Sequence, residues 1–118
     1  MRPIIVDIAE FYANPVRTGI QRTVHQIMQH WPAEVPVRYV RFDISQRGLI
    51  PISDQAGAFL IRHFAQGSMS SDELAAEVRY LDQHISCVPI ALDARDRVLV
   101  PELFYDGERV AFYRSALS

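Results

Sequence analysis

Pro3-Ile4-Ile5-Val6-Asp7-Ile8 is apolar at both odd and even positions, and little else in the chain limits its fold as strongly. A strand alternates its side chains between two faces, so one that is apolar on both must be covered on both. That is the usual condition of a parallel sheet packed between helices. The pattern then changes: Ile20, Val24, Ile27, Met28 and Trp31 recur at three- and four-residue steps, which puts an apolar stripe on a helix that Pro32 stops. Val37 to Asp43 (VRYVRFD) returns to an extended pattern and reads as a second strand. Strand, loop, helix and strand in this order make a βαβ unit with a right-handed crossover, so the first two strands are expected to be parallel neighbours.

Further along, Gly48-Leu49-Ile50-Pro51 reads as a short extended piece. Ser53-Asp54 caps a predicted helix through Ala56, Phe59, Leu60 and Phe64, ended by Gly67. Ser70-Ser71-Asp72-Glu73 opens another helix with Leu74, Val78 and Leu81 inward and Glu73, Glu77 and Arg79 outward. The turn-like Asp93-Ala94-Arg95-Asp96 leads to a predicted strand through Asp96 to Pro101. A last helix from about Asp106 is expected to bury Val110, Tyr113 and Leu117. There are no internal repeats and no low-complexity segments.

The chain has 118 residues, room for one domain with a real core, and it is 49% apolar and 22% charged, which excludes disordered and collagen-like classes. No apolar run reaches the roughly 18 residues of a membrane helix, and the N-terminus lacks the charged and apolar regions of a signal peptide. The expected location is the cytoplasm, with room for peripheral association at the inner membrane. The single cysteine, Cys87, has no partner for an internal disulfide, and no Cys or His spacing reads as a zinc site, so neither a metal nor a cofactor is expected. A net charge of −2 argues against a nucleic-acid surface. All 12 basic side chains are Arg; genomic codon bias accounts for this more simply than selection for the guanidinium.

The segment after the first strand is where chemistry is expected. Ligands of open parallel sheets bind beyond the carboxyl ends of the strands. Thr18-Gly19-Ile20-Gln21 has the form of a capping box with Thr18 as N-cap, and a helix start offers free N–H groups and the positive end of its dipole to a phosphate. Gly19 permits close approach, and Arg17 and Arg22 can add bidentate hydrogen bonds. The same residues also fit a plain connection in which Gly19 relaxes the turn, Thr18 caps, and both arginines are solvated. The segment has neither a G-x-G-x-x-G fingerprint nor a P-loop. Asp7 is open to two readings, a ligand contact or an ordinary turn residue. Glu102 and Asp106, four apart after a strand, suit acceptor hydroxyls, or a solvated loop and an N-cap. His25, off the apolar stripe, is expected to be exposed or lightly buried rather than a general base. His30, His63 and His84 are isolated, and Cys87 is an inert core thiol. The residues identify no catalytic group.

Ile4-Ile5-Val6-Asp7 followed by Arg17-Thr18-Gly19-Ile20-Gln21-Arg22-Thr23-Val24 resembles the N-terminus of bacterial GT-B-type glycosyltransferases, the retaining, mannosyltransferase-like enzymes of polysaccharide assembly. Val98-Leu99-Val100-Pro101-Glu102-Leu103-Phe104-Tyr105-Asp106 is similar to a later strand and loop of the same domain. The resemblance covers residues 2 to 31 and 96 to 117. It implies a three-layer, Rossmann-like α/β domain with a short, mainly parallel sheet, spanning 1–118 on the acceptor side of a two-domain enzyme. It also implies a nucleotide-sugar donor, a glycan or lipid-linked acceptor, and donor-diphosphate or acceptor contacts from Arg17, Thr18, Gly19, Arg22, Glu102 and Asp106. The chain lacks an E-x7-E-type element and the nucleotide-binding half, so no turnover is expected from these residues alone. The competing expectation is a non-catalytic α/β module that forms a homodimer or pairs with a partner domain.

Overall fold

The computed structural model describes residues 2–15, 19–64, 66, 69–83, 88–101 and 107–116. The elements run β1 (Ile4–Asp7), α1 (Ala9–Ala13), α2 (Gly19–Gln29), β2 (Val37–Asp43), β3 (Gly48–Pro51), α3 (Asp54–Phe64), α4 (Ser71–Asp82), β4 (Val98–Leu99) and α5 (Gly107–Ala116). Among the described residues the strands form one four-stranded mixed sheet in the order β3-β2-β1-β4. β1 lies parallel to β2, with Ile4 opposite Val37 and Asp7 opposite Val40, and parallel to β4, with Ile5 opposite Val98. The Gly48–Pro51 piece is a strand, but it returns antiparallel along β2 and makes that sheet edge a hairpin.

The double-sided burial expected of β1 is present. Val6 and Ile8 enter one core with Phe11, Val24, Leu60 and Val78, on the face covered by α1 to α4. Ile5 enters a second core with Val40, Phe42, Leu49 and Tyr113, on the face covered by α5. Strand alternation thus sorts consecutive residues between two layers of helix, an α/β arrangement compatible with a Rossmann-like fold. Two helix starts follow the sequence reading closely. The Ser53 Oγ accepts from the Ala56 N–H at 3.0 Å. Ser70 and Glu73 form a reciprocal capping box, 3.1 Å in each direction.

Five expectations change. The stretch after β1, read as a loop, contains α1, whose Phe11 and Tyr12 are buried; Phe11 meets Phe64 edge-on at 4.9 Å. Five residues are too few to show helical periodicity, and α1 is fixed instead by what Phe11 packs into. On α2 the buried side turns toward Gln21, Val24, His25 and Met28, and leaves Ile27 38% exposed. His25, expected near the surface, is 3% exposed. Its Nε2 lies 2.9 Å from the Ile61 carbonyl, in the last turn of α3, and its ring packs against Phe64. β4 is two residues long rather than six. α5 buries Arg109 with Tyr113, while Val110 is 39% exposed. Thr18 as N-cap, the Gly67 stop, and the readings of His84, Cys87 and Leu117 fall outside the described residues.

Candidate functional site

The strand order places a topological switch at β1. From its carboxyl end the chain goes by α1 and α2 to β2 on one side, while β4 lies on the other. Connections that leave adjacent strand ends in opposite directions open a crevice there, where ligands of such sheets bind. The segments that the sequence marked follow β1 and β4 in the chain. Gly19 is the first residue of α2, and a Cβ built on it meets nothing within 4 Å. Among the described residues no protein neighbour requires glycine there. Arg22, in the first turn of α2, is exposed. Arg17, Thr18, Glu102 and Asp106 fall outside the described residues. The structure thus places two of the six predicted residues, both on the exposed start of α2.

At the base of this crevice Asp7 is neither a ligand contact nor a turn residue. The last residue of β1, it is 0% exposed, on the α5 face with Ile5. Its Oδ1 accepts from the Ala9 N–H at 3.1 Å and the Phe42 N–H at 3.2 Å. Its Oδ2 accepts from Arg109 Nη2 at 2.8 Å, Arg109 Nε at 3.0 Å and the Tyr113 hydroxyl at 2.5 Å. Burial first, then the neighbouring carboxylate, pushes the Tyr113 phenol far above its ordinary value. A carboxylate with this many donors and no solvent access has no free lone pair for proton transfer. Its role is to join β1, α1, β2 and α5. Removing one partner of a buried ion pair costs about 3–5 kcal/mol, because the other charge is left uncompensated.

A second buried carboxylate stands on the opposite face. Asp82, at the end of α4, accepts from the Tyr12 hydroxyl at 2.9 Å and the Ser53 N–H at 2.7 Å, which locks α1, α3 and α4 together. Burial, followed by the Asp82 hydrogen bond and charge, pushes the Tyr12 phenol up to about 12. Arg41 lies over the Tyr12 ring, 5.4 Å from its centroid, and donates from Nη1 to Asp43 at 3.1 Å. Its buried Nε has no hydrogen-bond partner among the described residues. At the end of β2, the Asp43 carboxyl is held below its ordinary value, mainly by the Ser45 hydroxyl at 2.6 Å.

The β2–β3 turn ends on Arg47, a non-glycine residue at φ 49°. Its side chain meets Glu108 of α5 at 3.4 Å, an exposed pair. Between turn and helix is an open groove of about 360 Å³ lined by Arg47, Glu108, Ala111, Phe112, Ser115 and Ala116. Among the described residues no His, Cys, Asp and Glu side chains cluster in a way that could hold a metal ion, and no helix is long and apolar enough to cross a membrane.

Sequence reasoning missed Arg109. The available signal was the four-residue spacing of Arg109 and Tyr113, which puts both on one helix face, together with an acid at the end of a doubly buried strand. No protein-family model, curated protein or solved structure matches this chain.

Proposed function

We propose that this chain is the N-terminal, acceptor-side part of a retaining GT-B-type glycosyltransferase, which transfers a hexose from a nucleotide sugar to a glycan or lipid-linked acceptor in polysaccharide assembly. The observation that supports the reading is the position of α2. It lies, after α1, in the crossover between the parallel strands β1 and β2, and it exposes Arg22 in its first turn. The positive end of the helix dipole and a guanidinium favour a diphosphate there. The nucleotide would be held by a second domain across the crevice, and the departing diphosphate would be stabilised by preorganised positive charge.

An NMR titration with inorganic phosphate and with a nucleoside diphosphate tests this. The amides of Gly19 to Arg22 are expected to shift at millimolar ligand, and unchanged signals there sink the proposal. In the transferase that contains these residues, Arg22→Ala is expected to lower kcat/KM by about ten- to hundredfold, the worth of one charge-assisted hydrogen bond. Full activity would return Arg22 to the ordinary solvated surface. The second reading, a non-catalytic module that forms a homodimer or pairs with a partner, draws on the exposed Ile44, Tyr80 and Val88. Sedimentation that shows a stable dimer, with no phosphate response at α2, would favour it.

A further inference from the structure

We propose that α5 is a strap, fastened over the second face of the sheet by a polar latch of Asp7, Arg109 and Tyr113, and able to leave that face as a unit while the rest of the domain stays folded. The contrast between helices carries this. α3 buries Ala56, Gly57, Leu60 and Phe64, and α4 buries Leu74, Ala75, Val78 and Asp82. In α5 only Arg109 and Tyr113 are buried, and both are spent on the same carboxylate oxygen. Phe112 adds a partly buried ring 5.5 Å from Phe42. The Arg47–Glu108 pair at the rim is exposed on both sides and adds little.

Arg109 and Tyr113 lie one helical turn apart, so they engage or release together, and a half-open helix would strand a buried charge. The two halves of the latch are unequal. With α5 away, Asp7 Oδ2 loses all three of its donors, whereas Oδ1 keeps the Ala9 and Phe42 N–H groups, which belong to α1 and β2. The sheet side therefore remains organised, its carboxylate hydrated and still aimed at the empty seat. The uncovered face presents Ile5, Val40, Phe42 and Leu49. Sub-global opening of a weakly packed element is a general property of folded chains; here the bonds to Asp7 contribute to its free energy. The inference does not depend on glycosyl transfer, and its test reads backbone protection alone.

Native-state hydrogen exchange on the intact chain decides it. Amides in the last two turns of α5 are expected to exchange at least tenfold faster than those of β1 and α3. Tyr113→Phe, which keeps the ring and deletes one donor, is expected to speed α5 exchange by about a further tenfold and leave α3 and α4 unchanged. Asp7→Asn is expected to act in the same direction and more strongly; if that variant does not fold, Tyr113→Phe alone decides. Equal exchange of α5 and α3 in the wild type would overturn the proposal. So would a Tyr113→Phe effect spread evenly over the molecule, or no effect on α5.

Discussion

Tyr12 and Tyr113 each donate a phenolic proton to a buried carboxylate, one on either face of the sheet. Both phenols are raised above their ordinary value of 10.0, Tyr12 to about 12. A group whose pKa is higher in the folded than in the unfolded chain binds its proton more tightly when folded. Its stabilisation is complete below the unfolded value and is lost as pH rises toward the folded one. The stabilisation from these groups is therefore expected to be complete and independent of pH near neutrality and to fall from about pH 10 to pH 12, as the unfolded chain ionises both tyrosines. Chemical denaturation across that range, with tyrosinate absorbance recorded in parallel, checks this: Tyr12→Phe should flatten the decline. A wild-type curve no steeper than that of the variant would contradict it. At this scale the sequence revealed the residue types but not their partners. Asp7 and Arg109 stand 102 positions apart, and Tyr12 and Asp82 stand 70 apart. No local spacing announces such pairs.

Among the elements, α3 and α2 make opposite demands on a small residue. A Cβ at Gly57 would lie 2.7 Å from Tyr39 Cδ2, because α3 crosses β2 closely there, whereas one at Gly19 meets open space. Gly57→Ala is expected to cost about 1–3 kcal/mol through overpacking. Gly19→Ala is expected to be neutral or to stabilise by up to about 1 kcal/mol through helix propensity. Urea denaturation of the two variants side by side separates these outcomes, and a Gly57→Ala protein as stable as the wild type would mean that Tyr39 swings aside. Element boundaries were legible where capping chemistry is local, as at Ser53 and Ser70. They were not legible for α1, held by the packing of Phe11, or for β4, reduced to Val98–Leu99. The buried side of α2 was misjudged for a related reason: apolar periodicity assigns Ile27 inward, but the carbonyl of Ile61 and the ring of Phe64 seat His25 there instead.

Across the whole molecule, the two faces of the sheet carry unequal cores. The face under α1 to α4 is apolar and continuous, centred on Phe11, Leu60 and Phe64, and the face under α5 is small and closed by an ion pair. Phe11→Ala is accordingly expected to destabilise the domain by about 3–5 kcal/mol, a large part of the roughly 5–15 kcal/mol available to a chain of this size. Thermal unfolding should show that loss as a single lowered transition; two transitions would mean that the faces unfold independently. The sequence by itself determined the α/β class, the parallel β1–β2 pair, and the helix starts at Ser53 and Ser70. These depend on periodicity, turn chemistry and capping, which act over a few residues. Only the tertiary structure decided that β3 returns antiparallel, that His25 rather than Ile27 turns inward, and that Asp7 is spent on Arg109 and Tyr113. Those outcomes depend on which distant groups meet, since a buried carboxylate or imidazole is tolerated only where the fold supplies its hydrogen-bond partners.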